Sequence, residues 1–567
     1  MNDGTTKHKA AARACIAATL CLAGAAGAQT DWASWRWQRQ VQDAGSPLIV
    51  RPWAAEPPLA PPLPHESREH GPYEPGPSDP LLSLPFTDRG ITPGVQVNTN
   101  ASGLNVLGDC ANEPSMAVNP ANPNQIVIGW RQFNTISSDF RQAGWARSND
   151  GGQTWTNAGP FTPGTFRSDP ILACDRTGRF FYNSLRNLGG NFQCDVFTST
   201  NGGVSWTNPV FAVGGDKAWM CVDLTTGQGS GHLYQVWSPG LSCCAGMFGR
   251  STDHGATWGI NGQPNTELKW GTVDVDADGN VYIVGLNNAG TTQVAKSANA
   301  KNAAATPVFS NAVTVLPLMG PKHGMPMNPG GLGGQAWVAC DRSNGPRRNW
   351  VYVACSADPP GGDPFSVMFS RSTDGGATWS TPTQVHNEPS PYVSLQWFGT
   401  MSVAPTGRID IVYFDTRFSS TMTISALFYV QSTDGGTTWT APRMVSPTFN
   451  SLHGWPLQNK MGDYIHMVSG ADSAMLAYTG TFNSGLNGEN EQDVWFQRID
   501  ASPCDSIDFN GDGLYPDTAD IDDFLSVFSG GPCSTGTCGD IDFDNDGLFP
   551  DTTDIDKLLS VFSGGPC

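Results

Sequence analysis

From about residue 101 to residue 500, short apolar stretches alternate with polar turns at a recurring interval, a pattern that predicts strands rather than helices. Seven polar turns punctuate it: Asn119 to Asn124, Asp175 to Gly178, Asp223 to Gly231, Asp276 to Gly279, Asp341 to Gly345, Pro405 to Gly407 and Ser469 to Asp472. They recur about every 50 to 70 residues, a little above the ~40–50 of common propeller repeats, and each marks the hairpin between the first two strands of a unit. The last unit offers only three strands, near Tyr464, Met475 and Trp495. A fourth strand from Gly94 to Asn98 would close a ring. Asp274-Val-Asp-Ala-Asp-Gly279 has calcium-loop spacing, but its strand flanks make it a plain hairpin turn.

A second repeat overlays the first. Ser148-Asn-Asp-Gly-Gly-Gln-Thr-Trp155 recurs in related form at Ser199–Trp206, Ser251–Trp258, Ser372–Trp379 and Ser432–Trp439. The Asp or Asn should cap backbone N–H groups, Gly should take positive φ, and Trp should pack between neighbouring sheets. The interval between the third and fourth copies is about two units, so the unit near Val281 has lost its copy. These motifs resemble the Asp boxes of the sialidase superfamily. The resemblance covers roughly residues 101 to 500 and implies an all-β propeller of four-stranded blades; the turns predict seven blades, with six, the sialidase number, as the alternative.

The whole chain has 567 residues, with 66 Gly, 43 Pro and 14% charged residues where a soluble average is about 25%, which excludes a helical bundle. Net charge is −20, and thirteen of those charges fall in the last 64 residues. No basic stripe exists to neutralise phosphates, which disfavours nucleic acid. Lys7, Lys9 and Arg13 precede an apolar run, Ala14 to Ala25, and small residues ending at Ala28. Residues 1–28 therefore read as a cleavable secretion signal, 29–94 as a Pro-rich linker or strap, 95–502 as the propeller and 503–567 as a separate tail. No segment is long and apolar enough for a membrane span, and the expected location is secreted or extracytoplasmic, cell surface included. Twelve cysteines follow the signal, and pairing is expected of them. Cys340 and Cys355 flank a turn and are expected to bridge it. The vicinal Cys243-Cys244 leaves a metal site open, though no His spacing supports one.

The tail holds two 30-residue copies, Cys504 to Cys533 and Cys538 to Cys567. Each opens with oxygen ligands at alternate positions, Asp508, Asn510 and Asp512, then Asp542, Asp544 and Asp546, and a Gly at the sixth position. Amphipathic segments Ile521–Phe528 and Ile555–Phe562 follow. The arrangement resembles a dockerin. It implies bound Ca²⁺, an EF-hand-like module and a cohesin-like or cell-surface partner. The closing carboxylates, Asp520 and Asp554, fall one position late, so either a residue such as Pro516 or Pro550 bulges out or Asp517 and Asp551 substitute. Cys504–Cys533 and Cys538–Cys567 disulfides would close each unit. Phe524, Leu525, Phe528, Leu558, Leu559 and Phe562 would face a partner.

On such a propeller the Asp boxes and the first-to-second-strand turns share one face, and function belongs to the other. Residues just before the innermost strands collect there: Glu113, Arg167, Asp169, Asp216, Lys217, Trp219, Lys269, Trp270, Trp397, Asp463 and Tyr464. Loops add Arg131, Asp139, Arg186, Asp358, Asp363, Asp415 and Arg417, and longer excursions bring His323, His386, Glu388, His453 and Trp455. Aromatic faces beside charged groups suit a sugar, although pairs such as Asp415 with Arg417 could equally tie blades together. Met325 and Met327 beside His323 read as loop packing rather than a copper site. The resemblance implies sialidase chemistry, with three arginines on a carboxylate, Tyr464 as nucleophile and Asp139 as acid/base. Family members begin the first blade with Phe/Tyr-Arg-Ile-Pro, whereas this chain reads Asn112-Glu113-Pro114-Ser115, which sets an acid where the first arginine should be. The expected function is a carbohydrate-directed propeller, either binding or hydrolysing glycans, with a non-catalytic scaffold as the alternative.

Overall fold

The computed structural model describes residues 91–567 except 241, 360–364, 386–393, 420, 486–489, 502–504, 506, 513, 515–516, 544–551 and 564–567. The secretion signal, almost all of the strap, Asp363, His386, Glu388, Asp544, Asp546, Cys504 and Cys567 lie outside the described residues. All described residues belong to one compact unit, Pro52–Cys567.

Seven antiparallel sheets follow one another around a ring. Their innermost strands, in order, are Cys110–Asn119, Ser168–Cys174, Trp219–Val222, Val273–Val275, Trp337–Cys340, Gln396–Val403 and His466–Ser469. Each predicted turn joins an innermost strand to the second strand of its sheet, so the count of seven holds. Five blades have four strands, four of them in simple meander order and the last completed by the N-terminal strand. The third has three, extended by a bridge between Arg250 and Gly259, and the sixth carries an additional short pairing. Ring closure is as expected: Val95–Gln96 pairs with Trp495 and Phe496 as the outer strand of the last blade.

The repeated Ser-to-Trp segments turn the chain after the third strand. In the first, Ser148 Oγ donates to Asp150 Oδ1 (2.7 Å) and accepts from Gly152 N (2.9 Å), while Thr154 N donates to the same carboxylate (3.0 Å). The copies at Ser251, Ser372 and Ser432 repeat this pattern. Gly152 has φ 95°, which an L-residue rarely adopts. In three of the copies the closing Trp meets a ring of the preceding blade: Trp155 against Phe496, Trp206 against Trp145, Trp439 against Phe369. Such aromatic pairs add about 0.5–1.5 kcal/mol beyond the area they bury. The blade near Val281 keeps a remnant in which Ser297 Oγ donates to Asn299 Oδ1 (3.1 Å). Asp276 caps Asn280 N (2.8 Å) in an ordinary hairpin, as expected.

The cysteine expectations need correction. Cys340 and Cys355 are unpaired and buried, and Cys340 lies opposite Val351 rather than Cys355. Cys110, Cys174, Cys194 and Cys221 are also unpaired. Cys174, Cys340 and Cys355 pack in apolar clusters shared by neighbouring blades, where Cys behaves as a small apolar residue. Cys243 and Cys244 bond to each other, which removes the thiolates a metal would need. Cys533 pairs with Cys538, joining the two tail copies instead of closing either one.

In the tail, helices Thr518–Phe528 and Thr552–Phe562 pack around Phe509, Phe524, Phe543 and Leu558. Phe524 and Leu558 are thus inward residues, contrary to the expectation. Leu525 and Leu559, at matching positions of the two helices, are the exposed apolar residues.

Candidate functional site

Every blade begins with one residue in left-handed backbone at the mouth of the tunnel. They are Glu113 (φ 52°), Asp169 (φ 46°), Lys217 (φ 56°), Trp270 (φ 57°), Gly334 (φ 139°), Phe398 (φ 55°) and Gly462 (φ 105°). In three blades this residue sits in a break of register, between Asn112 and Ser115, Ser168 and Ile171, and Trp397 and Thr400. A non-glycine residue held there costs about 1–3 kcal/mol, and such strain concentrates at functional sites. Three of the seven carry charge, and they join one buried network.

Arg131 Nε lies 3.1 Å from Glu113 Oε2, and Lys460 Nζ 3.2 Å from Glu113 Oε1. Asp463 Oδ2 takes both Lys460 and Lys217 at 2.7 Å. Lys217 Nζ is 3.7 Å from Asp216, and its backbone N–H donates to Asp169 Oδ2 (3.0 Å). Arg131 also donates to Asn112 and Gln458, and Arg141 donates to Ser168 Oγ (3.2 Å) and stacks on Phe166. A hairpin between the fourth and fifth blades, His323–Met325 with Asn328–Leu332, braces the network. Asn328 donates to Gly462 O and accepts from Met461 N, while Leu332 N donates to Asp463 Oδ1. Met327 is fully buried beside Trp397 and Met461, so it packs as read.

Burial would raise Asp169 and Asp463, yet Lys217 reverses this for both, with Lys460 assisting at Asp463. Asp169 ends below, and Asp463 well below, the usual carboxylate range. Burial also raises Glu113, to about 7 against the pull of Arg131 and Lys460, and lowers Lys460. Lys217 resists burial because Asp216, Asp463 and Asp169 surround it, which holds it well above its usual value. Asp216 differs from the others. Its side chain is 32% exposed, yet desolvation of its carboxyl raises it despite the opposing pull of Lys217.

Glu113, Arg131, Asp169, Asp216, Lys217 and Asp463 of the expected set therefore meet. Lys460 and Arg141 were missed: neither lies in a repeat, and the one cue to Lys460 was its place three residues before Asp463. Trp270 is half-buried at the rim, with Lys269 Nζ 4.6 Å above its ring. Trp219 and Tyr464 are deeper. Trp219 packs edge-on against Trp337, Tyr464 and His466, filling the tunnel. Tyr464 is 1% exposed, donates to Pro170 O (2.9 Å), and is raised by burial well above its usual value.

The remaining expected residues do not converge there. Arg167 and Arg186 both pair with Asp195 at 3.1 Å. Asp415 pairs with Arg417, which stacks on Phe428; all three belong to the sixth blade, so these contacts brace that blade rather than tie two together. Trp397 is buried in the sixth blade and donates to Ser425. Asp139 is half-buried, and its backbone carbonyl takes Arg141. Asp358 pairs with Lys322. His453 bonds Asn450 and Trp455 bonds Ser451 O, within the loop leading to Lys460.

In the first tail loop Asp508 Oδ1 and Asn510 Oδ1 both accept from Asp512 N (3.1 and 3.0 Å). Asp517 caps the helix through Ala519 N and Asp520 N, while the fully buried Asp520 reaches back to Asn510 N (3.4 Å). Asp508, Asn510, Asp512 and Asp520 are the oxygen-bearing side chains of this loop that could hold a hard cation such as Ca²⁺, and Asp520 rather than Asp517 reaches back to the loop. In the second copy Asp542 and the fully buried Asp554 are the described members.

The fold is a seven-bladed propeller with a charged, aromatic-rimmed mouth. No family model matches the chain. A xyloglucanase from Paenibacillus sp is 27% identical over 309 residues, which cover 51% of this chain and 28% of that protein. The chain therefore matches little more than a quarter of that relative's length. Similar solved structures include a protein of unknown function from Dyadobacter fermentans DSM 18053 (15% identical, 72% of this chain, 97% of that one, TM-score 0.41). A Hadza microbial sialidase (14%, 69% and 66%, TM-score 0.38) and an alpha-L-arabinofuranosidase from Fusarium graminearum (12%, 71% and 97%, TM-score 0.37) are others. Among the described residues no helix is long and apolar enough to cross a membrane.

Proposed function

We propose that the mouth takes a neutral polysaccharide, of which xyloglucan is the first to test. The observation that carries this reading is the consumption of the mouth's cations by the protein itself. Arg131 and Arg141 are 1% and 4% exposed and already held, and Lys460 and Lys217 share Asp463. No arginine of this network is left to grip a sialic-acid carboxylate, and Glu113 occupies the place of the first. Asp216, solvent-reaching and raised by desolvation, is suited to give a proton to a glycosidic oxygen, with ionised Asp169 and Asp463 beneath it to favour positive charge on the sugar. Trp270 supplies a stacking face. The repeated turns are read as Asp boxes, and the tail as a dockerin-like Ca²⁺ module whose Leu525 and Leu559 meet a cohesin-like or cell-surface protein. The apolar run near the N-terminus and the two disulfides support secretion.

The test is a binding panel of immobilised neutral and sialylated glycans. Xyloglucan should retain the protein, and Trp270→Ala should weaken retention about tenfold, the ~1.4 kcal/mol of one stacked ring. Preference for the sialylated ligands would overturn the reading.

A further inference from the structure

Away from the mouth network, three carboxylates crowd together where the ring closes. Asp109 immediately precedes the innermost strand of the first blade, and Glu491 and Asp493 stand at the start of the outer part of the last. One oxygen from each lies within 4.8 Å of the others, and all three residues are buried. Their partners are neutral. Gln132 donates to Asp109 Oδ2 (2.9 Å), Gly108 N and Asn105 to Glu491, and Asn98 and Asn483 to Asp493 (2.8 Å each). Among the described residues no lysine, arginine or histidine forms an ion pair with any of the three. Asp109 Oδ1, in a residue 3% exposed, has no hydrogen-bond partner, an expensive arrangement for a carboxylate oxygen.

We infer that Asp109, Glu491 and Asp493 hold a Ca²⁺ ion that staples the first blade to the last. Three carboxylates ringed by amide groups make an all-oxygen donor set, which suits a hard cation, and Ca²⁺ tolerates the irregular geometry that carboxylates from two blades impose better than Mg²⁺, which demands a near-ideal octahedron. Bidentate carboxylates and water would complete its six to eight ligands. The unpartnered Asp109 oxygen gains a partner, and three crowded carboxyls gain a cationic partner that no described side chain provides. The ligands are 382 residues apart in the chain, so binding should favour the closed ring over the open chain.

The tail is proposed to bind the same ion, so the experiment must separate the two. Every tryptophan precedes residue 496, so tryptophan fluorescence of the full chain carries no signal from the tail, and fifteen of the nineteen tryptophans lie in the propeller. Thermal unfolding followed by this signal should shift up by about 3 °C or more between chelator and millimolar Ca²⁺. Asp508→Asn with Asp542→Asn should keep that shift. Asp109→Asn and, separately, Asp493→Asn should abolish it while melting no lower than the parent in chelator, because each replaces a buried carboxyl that lacks a cationic partner with a neutral amide of the same size. Direct Ca²⁺ counting on Glu491→Gln should find one ion fewer than the parent, which covers a variant that folds poorly. An unchanged tryptophan-reported midpoint in Ca²⁺, or a shift that survives Asp109→Asn, would overturn the site.

Discussion

Replacing Asp463 by Asn removes the anion that two buried ammonium groups share. Lys217 and Lys460 each lie 2.7 Å from Asp463 Oδ2, with side-chain exposures of 16% and 9%. The amide keeps the volume and can still accept from Leu332 N, so the change is electrostatic rather than steric. Breaking a buried pair from one side costs about 3–5 kcal/mol, because the surviving charge is left in low dielectric. A propeller of about 400 residues gains unfolding entropy near 0.8 kcal/mol/K, so the midpoint should fall by about 4–6 °C. Lys460→Met in the same background removes one stranded ammonium and should restore part of the loss, whereas alone it should destabilise by leaving Glu113 to Arg131. The pH dependence has a defined sign. Asp463 titrates below its unfolded value, so its contribution is present above about pH 4 and lost as pH falls below it. Calorimetry of parent, both single variants and the double variant, at pH 7 and in acid, measures each quantity. A midpoint within about 1 °C of the parent at pH 7, or a double variant whose loss is the plain sum of the singles, would refute this account of the mouth.

Glu113 predicts the opposite slope. Its folded value of about 7 exceeds the usual carboxylate value, so its contribution is complete in acid and declines as pH rises toward 7; Glu113→Gln should flatten the stability profile between about pH 4.5 and 7. In the tail, Asp520→Ala should abolish Ca²⁺ protection of residues 504–567 of the full chain against protease, while Asp517→Ala should weaken helix capping and leave binding largely intact. Equal protection in chelator and Ca²⁺ would remove the calcium reading of the tail.

Seven blades were legible because each first turn uses Asn, Asp, Gly or Pro to reverse the chain, a local demand that tertiary context did not override. The place of Glu113, Asp169 and Lys217 was legible for a similar reason: each is tied by position to the start of an innermost strand. Blade six shows where such reading slips. The register break puts Phe398, not Trp397, at the position matching Glu113, and a shift of one residue turns Trp397 into the blade's core. Arg167 was misread because sequence cannot show that Asp195, 28 residues later, claims it first, whereas the pairing of Arg417 with nearby Asp415 was legible. Lys460 lies in a loop whose course is set by contacts with a hairpin some 130 residues earlier, a long-range event with no local signature. The tail helices were found by their period, but which of Phe524 and Leu525 faced inward depended on how the two copies pack together.

The central claim, that the mouth acts on a neutral glycan with Asp216 as its acid, is tested most directly by product analysis after incubation with xyloglucan and with a sialoside. New reducing ends from xyloglucan that disappear in Asp216→Asn, with the sialoside left intact, are the predicted result. Turnover of the sialoside that Tyr464→Phe abolishes, or intact xyloglucan with no binding to it, would contradict the account.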